Sequence, residues 1–178
     1  MIETLISSKT RIKLLLKFFL NSNTTAYLRN LEAEFGESSN AIRVELNRFE
    51  QAGMLQSKQE GNKKIFQVNA RHPLFQEIHS IVRKYIGLDQ ILENVIKQLG
   101  NVERVYLTGD FSRGQDAEVI DLIIVGEVNR SYLAVLTEKA EKIIQRKIRY
   151  LNYAGAEFTQ REIDRMTPPP LLLWSWDN

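Results

Sequence analysis

The sequence predicts an α+β protein: a helical first half closed by a β-hairpin, a helical connector, and a smaller α/β second half. Three observations carry that expectation. Between Lys9 and Gly53 the apolar residues recur at helical spacing in three segments parted by Gly and Ser. The stretch "LQSKQEGNKKIFQVN" alternates on both sides of Glu60-Gly61-Asn62, a hairpin signal. After residue 100, two strand-like runs precede a helical run and a further strand.

The composition sets outer bounds. At 178 residues, the chain can hold one large domain or two small ones. It has no cysteine, which excludes disulfides, thiolate metal sites and thiol chemistry. The apolar stretch Ile12 to Leu20 is broken by Lys13 and Lys17 and is too short to span a bilayer. No signal peptide is legible, so the expectation is a cytoplasmic protein without a membrane partner. Net charge is +2, unevenly placed. Residues 1–75 hold 11 Lys/Arg and 7 Asp/Glu, or +4; residues 76–178 hold 13 and 15, or −2. A basic first half hints at a polyanion partner for that half alone.

The first helix follows Ser7-Ser8 and places Ile12, Leu15, Leu16 and Phe19 on one side, with Lys9, Lys13 and Lys17 on another stripe. A short helix, "AYLRNLEAEFG", ends at Gly36. A third, "ESSNAIRVELNRFEQAGML", starts at a capping Ser and stops at Gly53. The second and third helices with the tight turn between them have the helix-turn-helix pattern.

The third helix carries the functional expectation. At 100° per residue, Ile42, Leu46 and Phe49 fall within about 60° of each other, and Asn40, Arg43, Val44 and Asn47 within about 100° on the opposite side. Arg can grip guanine O6/N7, Asn can grip adenine N6/N7, and Val can meet a thymine methyl. Ser38 and Ser39 at the helix start suit phosphate. Lys63 and Lys64 on the hairpin, with Lys58 opposite, would ride the adjacent backbone. A helical interaction module with polar faces is the plainer alternative. The span 8–70 also resembles the ArsR-like winged-helix regulators, with the recognition helix at "SSNAIRVELNRFEQAGML" and the wing at "SKQEGNKKIFQVN". That resemblance implies double-stranded DNA as partner. His72 and His79, seven apart, read as ordinary surface or interface residues, so metal sensing is not expected.

The connector, residues 71–100, reads as two amphipathic helices bent at Gly87, with Asp89 helping to start the second. Its apolar surface can be covered within the chain or in a two-fold dimer seam.

In the second half, "VERVYLTGDFSRG" and "EVIDLIIVG" read as strands around a Gly-containing turn. They are followed by the helix "RSYLAVLTEKAEKIIQRK" and the strand "IRYLNYA". This segment resembles the minimal nucleotidyltransferase domain of the DNA polymerase beta superfamily. That family shows Gly-Ser, two residues, then Arg-Gly, followed by a strand with two Asp separated by one residue and a third carboxylate on a later strand. Acids at i and i+2 share a face, so together they can hold two magnesium ions against a triphosphate.

Matched by position, the hallmark glycine is Gly109, Arg113-Gly114 keep the Arg-Gly, the serine is Asp110, and of the acid pair Val119 replaces the first and Asp121 keeps the second. Glu118 points to the other face. The later strand offers Lys147 and Arg149, with no acid until Glu157, which reads as the start of a closing helix. A single carboxylate binds magnesium poorly. Asp110 would repel phosphate, by roughly 1 kcal/mol per like pair at 4 Å in water and roughly 4 kcal/mol at an effective dielectric of 20.

The expectation is therefore a winged-helix transcriptional regulator, residues 1–70, with the connector at 71–100. A nucleotidyltransferase-like domain follows at 101–163, and an extended tail at 164–178 packs on that domain or on a partner subunit. The second domain is expected not to be an enzyme. It serves dimerisation or senses a small-molecule effector in a degenerate nucleotide pocket of Gly109, Asp110, Arg113, Gly114 and Asp121. No catalytic residue, metal or cofactor is expected. The working unit is expected to be a homodimer on a pseudo-palindromic operator. The alternative is an active nucleotidyltransferase of the antitoxin type, adenylylating a partner protein.

Overall fold

The structure is a computed structural model and describes residues 2–176. It is a mixed α+β protein with two sheets and two compact units, residues 1–85 and 86–178. No helix among the described residues is long and apolar enough to cross a membrane.

In the first unit, helix α1 (Ile2–Leu5) precedes α2 (Lys9–Phe19), whose Ser8 side chain accepts from the Arg11 N–H and caps the first turn. Strand β1 (Thr25–Tyr27) leads into α3 (Leu28–Phe35), which ends at Gly36 in the left-handed conformation. Helix α4 (Ser39–Gln51) starts where Ser38 accepts from the Ala41 N–H. Strands β2 (Leu55–Glu60) and β3 (Lys63–Val68) form the expected hairpin. The three-stranded sheet has the order β1-β3-β2 and is antiparallel throughout. Leu14, Phe18, Phe19, Leu31, Ile42 and Leu46 are at most 1% exposed and form the core with Phe66 of the sheet.

Strand β1 departs from the sequence reading, which placed Ala26 and Tyr27 in the second helix. Ala26 pairs with Phe66 and Tyr27 with Ile65, forty and thirty-eight positions away. Periodicity within a short window cannot register such a pairing.

Helix α5 (Phe75–Ile86) ends at the junction of the units. The second unit opens with α6 (Leu88–Ile91), a π-helical turn over Leu92–Ile96, and α7 (Lys97–Leu99). The bend expected at Gly87 is present. This residue has φ +97°, and a Cβ there would meet Ile144 Cγ2 at 2.7 Å, so the position requires glycine twice over. Strand β4 (Val102–Thr108) turns through α8 (Gly109–Ser112) into β5 (Val119–Gly126). Helix α9 (Arg130–Ile144) then crosses to β6 (Lys147–Tyr153), which lies parallel to β5.

The closing helix α10 spans Gln160–Arg165, with Thr159 and Glu162 forming a capping box. It therefore starts after Glu157, which instead accepts from the Ala154 N–H. The expected extended tail supplies β7 (Leu171–Ser175), antiparallel to β4; its residues 177 and 178 lie outside the described residues. The sheet order is β6-β5-β4-β7.

Candidate functional site

The α4 face that the sequence singles out is brought together. Burial of Ile42, Leu46 and Phe49 turns Asn40, Arg43, Val44 and Asn47 outward, all exposed. Among the described residues, Asn40, Arg43 and Asn47 have no side-chain hydrogen-bond or ion-pair partner. Ser38 is committed as the α4 cap, and the Ser39 hydroxyl donates to Glu32.

The hairpin lysines divide between two faces of the sheet. Lys58 pairs with Ile65 and Lys63 with Glu60, which places both lysines on the outer face. Lys63 lies over the Tyr27 ring at 5.6 Å. Lys64 is on the inner face with Phe66, over whose ring it lies at 5.1 Å, and its Nζ donates to Glu50 Oε2 at 2.7 Å. A cleft of about 570 Å³ between α3, α4 and the hairpin gathers Arg29, Arg43, Asn47, Asn62, Lys63 and Lys64. Arg29 and Asn62 were not anticipated. Neither has a periodic signal; only the packing of α3 and the hairpin turn against α4 draws them in.

The basic stripe of α2 is spent inside the unit. Arg11 Nε donates to Glu45 Oε2 at 2.9 Å, Lys13 to Glu37 at 2.7 Å, and Lys17 to both oxygens of Glu34 at 2.9 Å. Burial by itself would raise the Glu45 carboxyl, but hydrogen bonds from Arg11 and Ser8 and the Arg11 and Arg48 charges hold it below the ordinary glutamate value. Glu37 is likewise lowered: burial opposes, and the Lys13 and Thr10 hydrogen bonds prevail. These pairs explain how α2 buries Leu14 and Phe18 as well as its predicted stripe. The two histidines are structural. His79 Nδ1 lies 2.6 Å from the Phe19 carbonyl oxygen, and His72 Nδ1 accepts from the Leu74 N–H.

In the second unit, Gly109 has φ +67°, and a Cβ on it would overlap Asp121 Oδ2 and lie 3.1 Å from Asp121 Cγ. Asp121 pairs in register with Thr108 on one side and Arg149 on the other. Arg149 donates from Nε to Asp121, and this hydrogen bond, with the adjoining carboxylate charge, raises the guanidinium pKa further. Thr108, Gly109, Asp121, Arg149, Tyr150 and Leu151 line a recess of about 300 Å³. Arg113 donates to Asp110 Oδ1 at 2.5 Å. The Gly114 N–H closes the turn on the Phe111 carbonyl.

The turn is pinned from beneath by residues the sequence reading missed. Arg146 lies 5.2 Å over the Phe111 ring, pairs with Asp116 at 2.9 Å and donates to the Ala117 carbonyl. Nothing in local spacing links residue 146 to residues 111–117.

A magnesium pair, which the resemblance implies, needs several anionic ligands on one face. Among the described residues no three Asp, Glu or His side chains converge as a metal group, Val119 offers no donor, and Asp121 is engaged by Arg149. The donor set does not fit such a pair.

No protein-family model matches the chain, and no curated protein matches it. Solved structures do. One is AF1382 from Archaeoglobus fulgidus, with 17% identity and a TM-score of 0.38, covering 53% of this chain and 99% of that one. Another is a provisionally assigned nucleotidyltransferase from Sulfolobus solfataricus, with 23% identity and a TM-score of 0.39, covering 57% of this chain and 88% of that one.

The expectation that the second domain is not an enzyme is corrected here. The Sulfolobus chain carries an enzyme's name. The charge reasoning behind the expectation also fails in one part: Asp110 is not a bare carboxylate facing phosphate but is paired with Arg113.

Proposed function

We propose that the first unit is a winged-helix module that binds duplex DNA, with α4 in the major groove and the β2–β3 hairpin as its wing, and that the chain regulates transcription. The observation that carries this reading is the outward face of α4. Arg43, Asn40 and Asn47 stand there without partners, with Lys63 lining the same cleft as Arg43 and Asn47, while Arg11, Lys13 and Lys17 are consumed internally. Unpaired amides and a guanidinium on one exposed helix face are the groups that read base edges. A pseudo-palindromic operator would carry half-sites about 34–36 Å apart, or a multiple. The test is selection of bound duplexes from random sequence, followed by Arg43→Ala. The expected loss is about 1–3 kcal/mol with relaxed preference at one base position. If selection enriches no duplex, the reading fails.

A second reading is nucleotidyl transfer by the second unit. One observation favours it: the glycine turn and Asp121 meet, with Arg149 beside them in one recess. Labelled ATP, GTP, CTP and UTP, each with magnesium or manganese, would test it. Label incorporated by the wild type and lost in Asp121→Ala supports transfer; no incorporation with any nucleotide removes it.

A further inference from the structure

The cleft beside α4 is deeper than base reading requires. Side chains that read base edges protrude into a groove of the duplex, as Asn40, Arg43 and Val44 can from the exposed face of α4. The hollow next to them, about 570 Å³, reaches inward to buried side chains. Its floor is apolar: Leu46 and Phe66 are 1% and 4% exposed, and Leu28 of α3 is half-buried beside them. Its rim is basic. Among the described residues that line it, Arg29, Arg43, Lys63 and Lys64 stand against one acid, Glu32, a balance of +3. Glu32 accepts from the Ser39 hydroxyl, and Lys64 donates to Glu50. Arg29 and Arg43 are exposed, and among the described residues neither has a hydrogen-bond or ion-pair partner.

We propose that this cleft binds a flat aromatic carboxylate, and that such a ligand releases the protein from DNA. The volume lies in the range of small-molecule sites, roughly 300–1,000 Å³, and an apolar floor with a few polar groups at the mouth is their usual lining. A hydrocarbon ring against Leu28, Leu46 and Phe66 leaves no polar group unpaired. A nucleobase would press its ring nitrogens against the same side chains without a partner, at a cost in free energy. At the mouth, a guanidinium fork meets both oxygens of a planar carboxylate. Arg29 from α3 and Arg43 from α4 supply two such forks. Arg43 also belongs to the face that reads bases. Engaged by a carboxylate it is not free for guanine, and the ring lies beside Asn47, which lines the same cleft. Ligand and duplex therefore exclude one another with no change of shape in the fold. The exclusion rests on the DNA reading of α4, whereas the ligand site does not.

The test uses the full chain with naphthoate as the probe. Calorimetry without DNA should show one naphthoate bound per chain, with a dissociation constant on the order of 100 µM for a ligand of this size. The neutral amide, naphthamide, should bind about tenfold more weakly, having lost the charge-assisted bonds. Adenosine monophosphate should compete about tenfold more weakly than naphthoate itself, because its base suits the floor less. Arg29→Ala should weaken naphthoate about tenfold, and Arg29→Lys should restore little, lacking the planar fork. Arg29 is exposed, so neither change disturbs folding. Naphthoate at about ten times its dissociation constant should raise the apparent dissociation constant of a selected duplex about tenfold. No binding up to about 10 mM, an amide equal to the acid, stronger competition by adenosine monophosphate, or indifference to Arg29→Ala overturns the site. Bound naphthoate that leaves duplex affinity unchanged overturns the exclusion. If selection enriches no duplex, the DNA reading fails by itself, and calorimetry still decides the site.

Discussion

Gly109 and Asp121 exclude a side chain from each other's space: any Cβ on the glycine would sit inside the aspartate carboxylate. Gly109→Ala should therefore destabilise the second unit. A left-handed non-glycine residue costs about 1–3 kcal/mol, and the overlap adds to it. Gly109→Ala combined with Asp121→Gly should recover the part due to overlap, leaving the backbone part of about 1–2 kcal/mol. Urea denaturation of both variants measures it. Full additivity of the two single changes would show that the residues do not interfere.

Acid should weaken the first unit before simple charge counting suggests. The folded Glu45, Glu37 and Glu50 carboxyls all lie below their ordinary value of 4.5. For Glu50 the Lys64 and Ser57 hydrogen bonds are the leading causes. For a lowered carboxyl, the linked stability is fully present above the unfolded value and is lost as pH falls through the folded one. Urea midpoints of the first unit's transition should accordingly drop below pH 4.5. Glu45→Gln should flatten that decline, and an unchanged slope would count against the pairing.

The two hairpin lysines should behave differently on DNA. Lys63→Ala should weaken all sequences alike and reduce the salt dependence by about one unit, as loss of one phosphate contact does. Lys64→Ala should change the slope less, because its ammonium is already paired with Glu50 on the inner face. Equal slopes for the two variants would contradict the assignment of faces.

Arg146→Ala should loosen the turn after β4. It removes a cation–π contact, an ion pair and a bond to a carbonyl at once. A loss of about 2–4 kcal/mol is expected from one charged hydrogen-bond set and one stacked guanidinium. Hydrogen exchange at Ser112 to Ala117 would register it, and Arg146→Lys should rescue little, lacking the planar fork.

What could be read in the sequence followed its period. Ile42, Leu46 and Phe49 fixed which side of α4 is wet, and Gly61 located the hairpin turn, because both depend on neighbours in the chain. The strand–turn–strand–helix–strand order after residue 100 was equally local. The partners were not. Arg149 holds Asp121, and pairing across parallel strands depends on a register set by α9 between them. Lys13 and Lys17, legible only as a second stripe of the first helix, are ion pairs within the fold. A nearby signal was overlooked at Thr159 and Glu162, where the capping spacing marks the last helix.

Strand β7 bears on the order in which the second unit assembles. Leu107 pairs with Leu171, 64 positions later. Closing so long a loop costs entropy before any contact repays it, and pairings of this kind slow folding. Until residues 171–175 dock, the β4 edge presents unpaired amides beside Val105 and Leu107, both fully buried once the sheet is closed. An apolar open edge of that sort invites strands from other chains. The last strand thus acts as an internal guard against aggregation, and shortening the chain before Leu171 removes it.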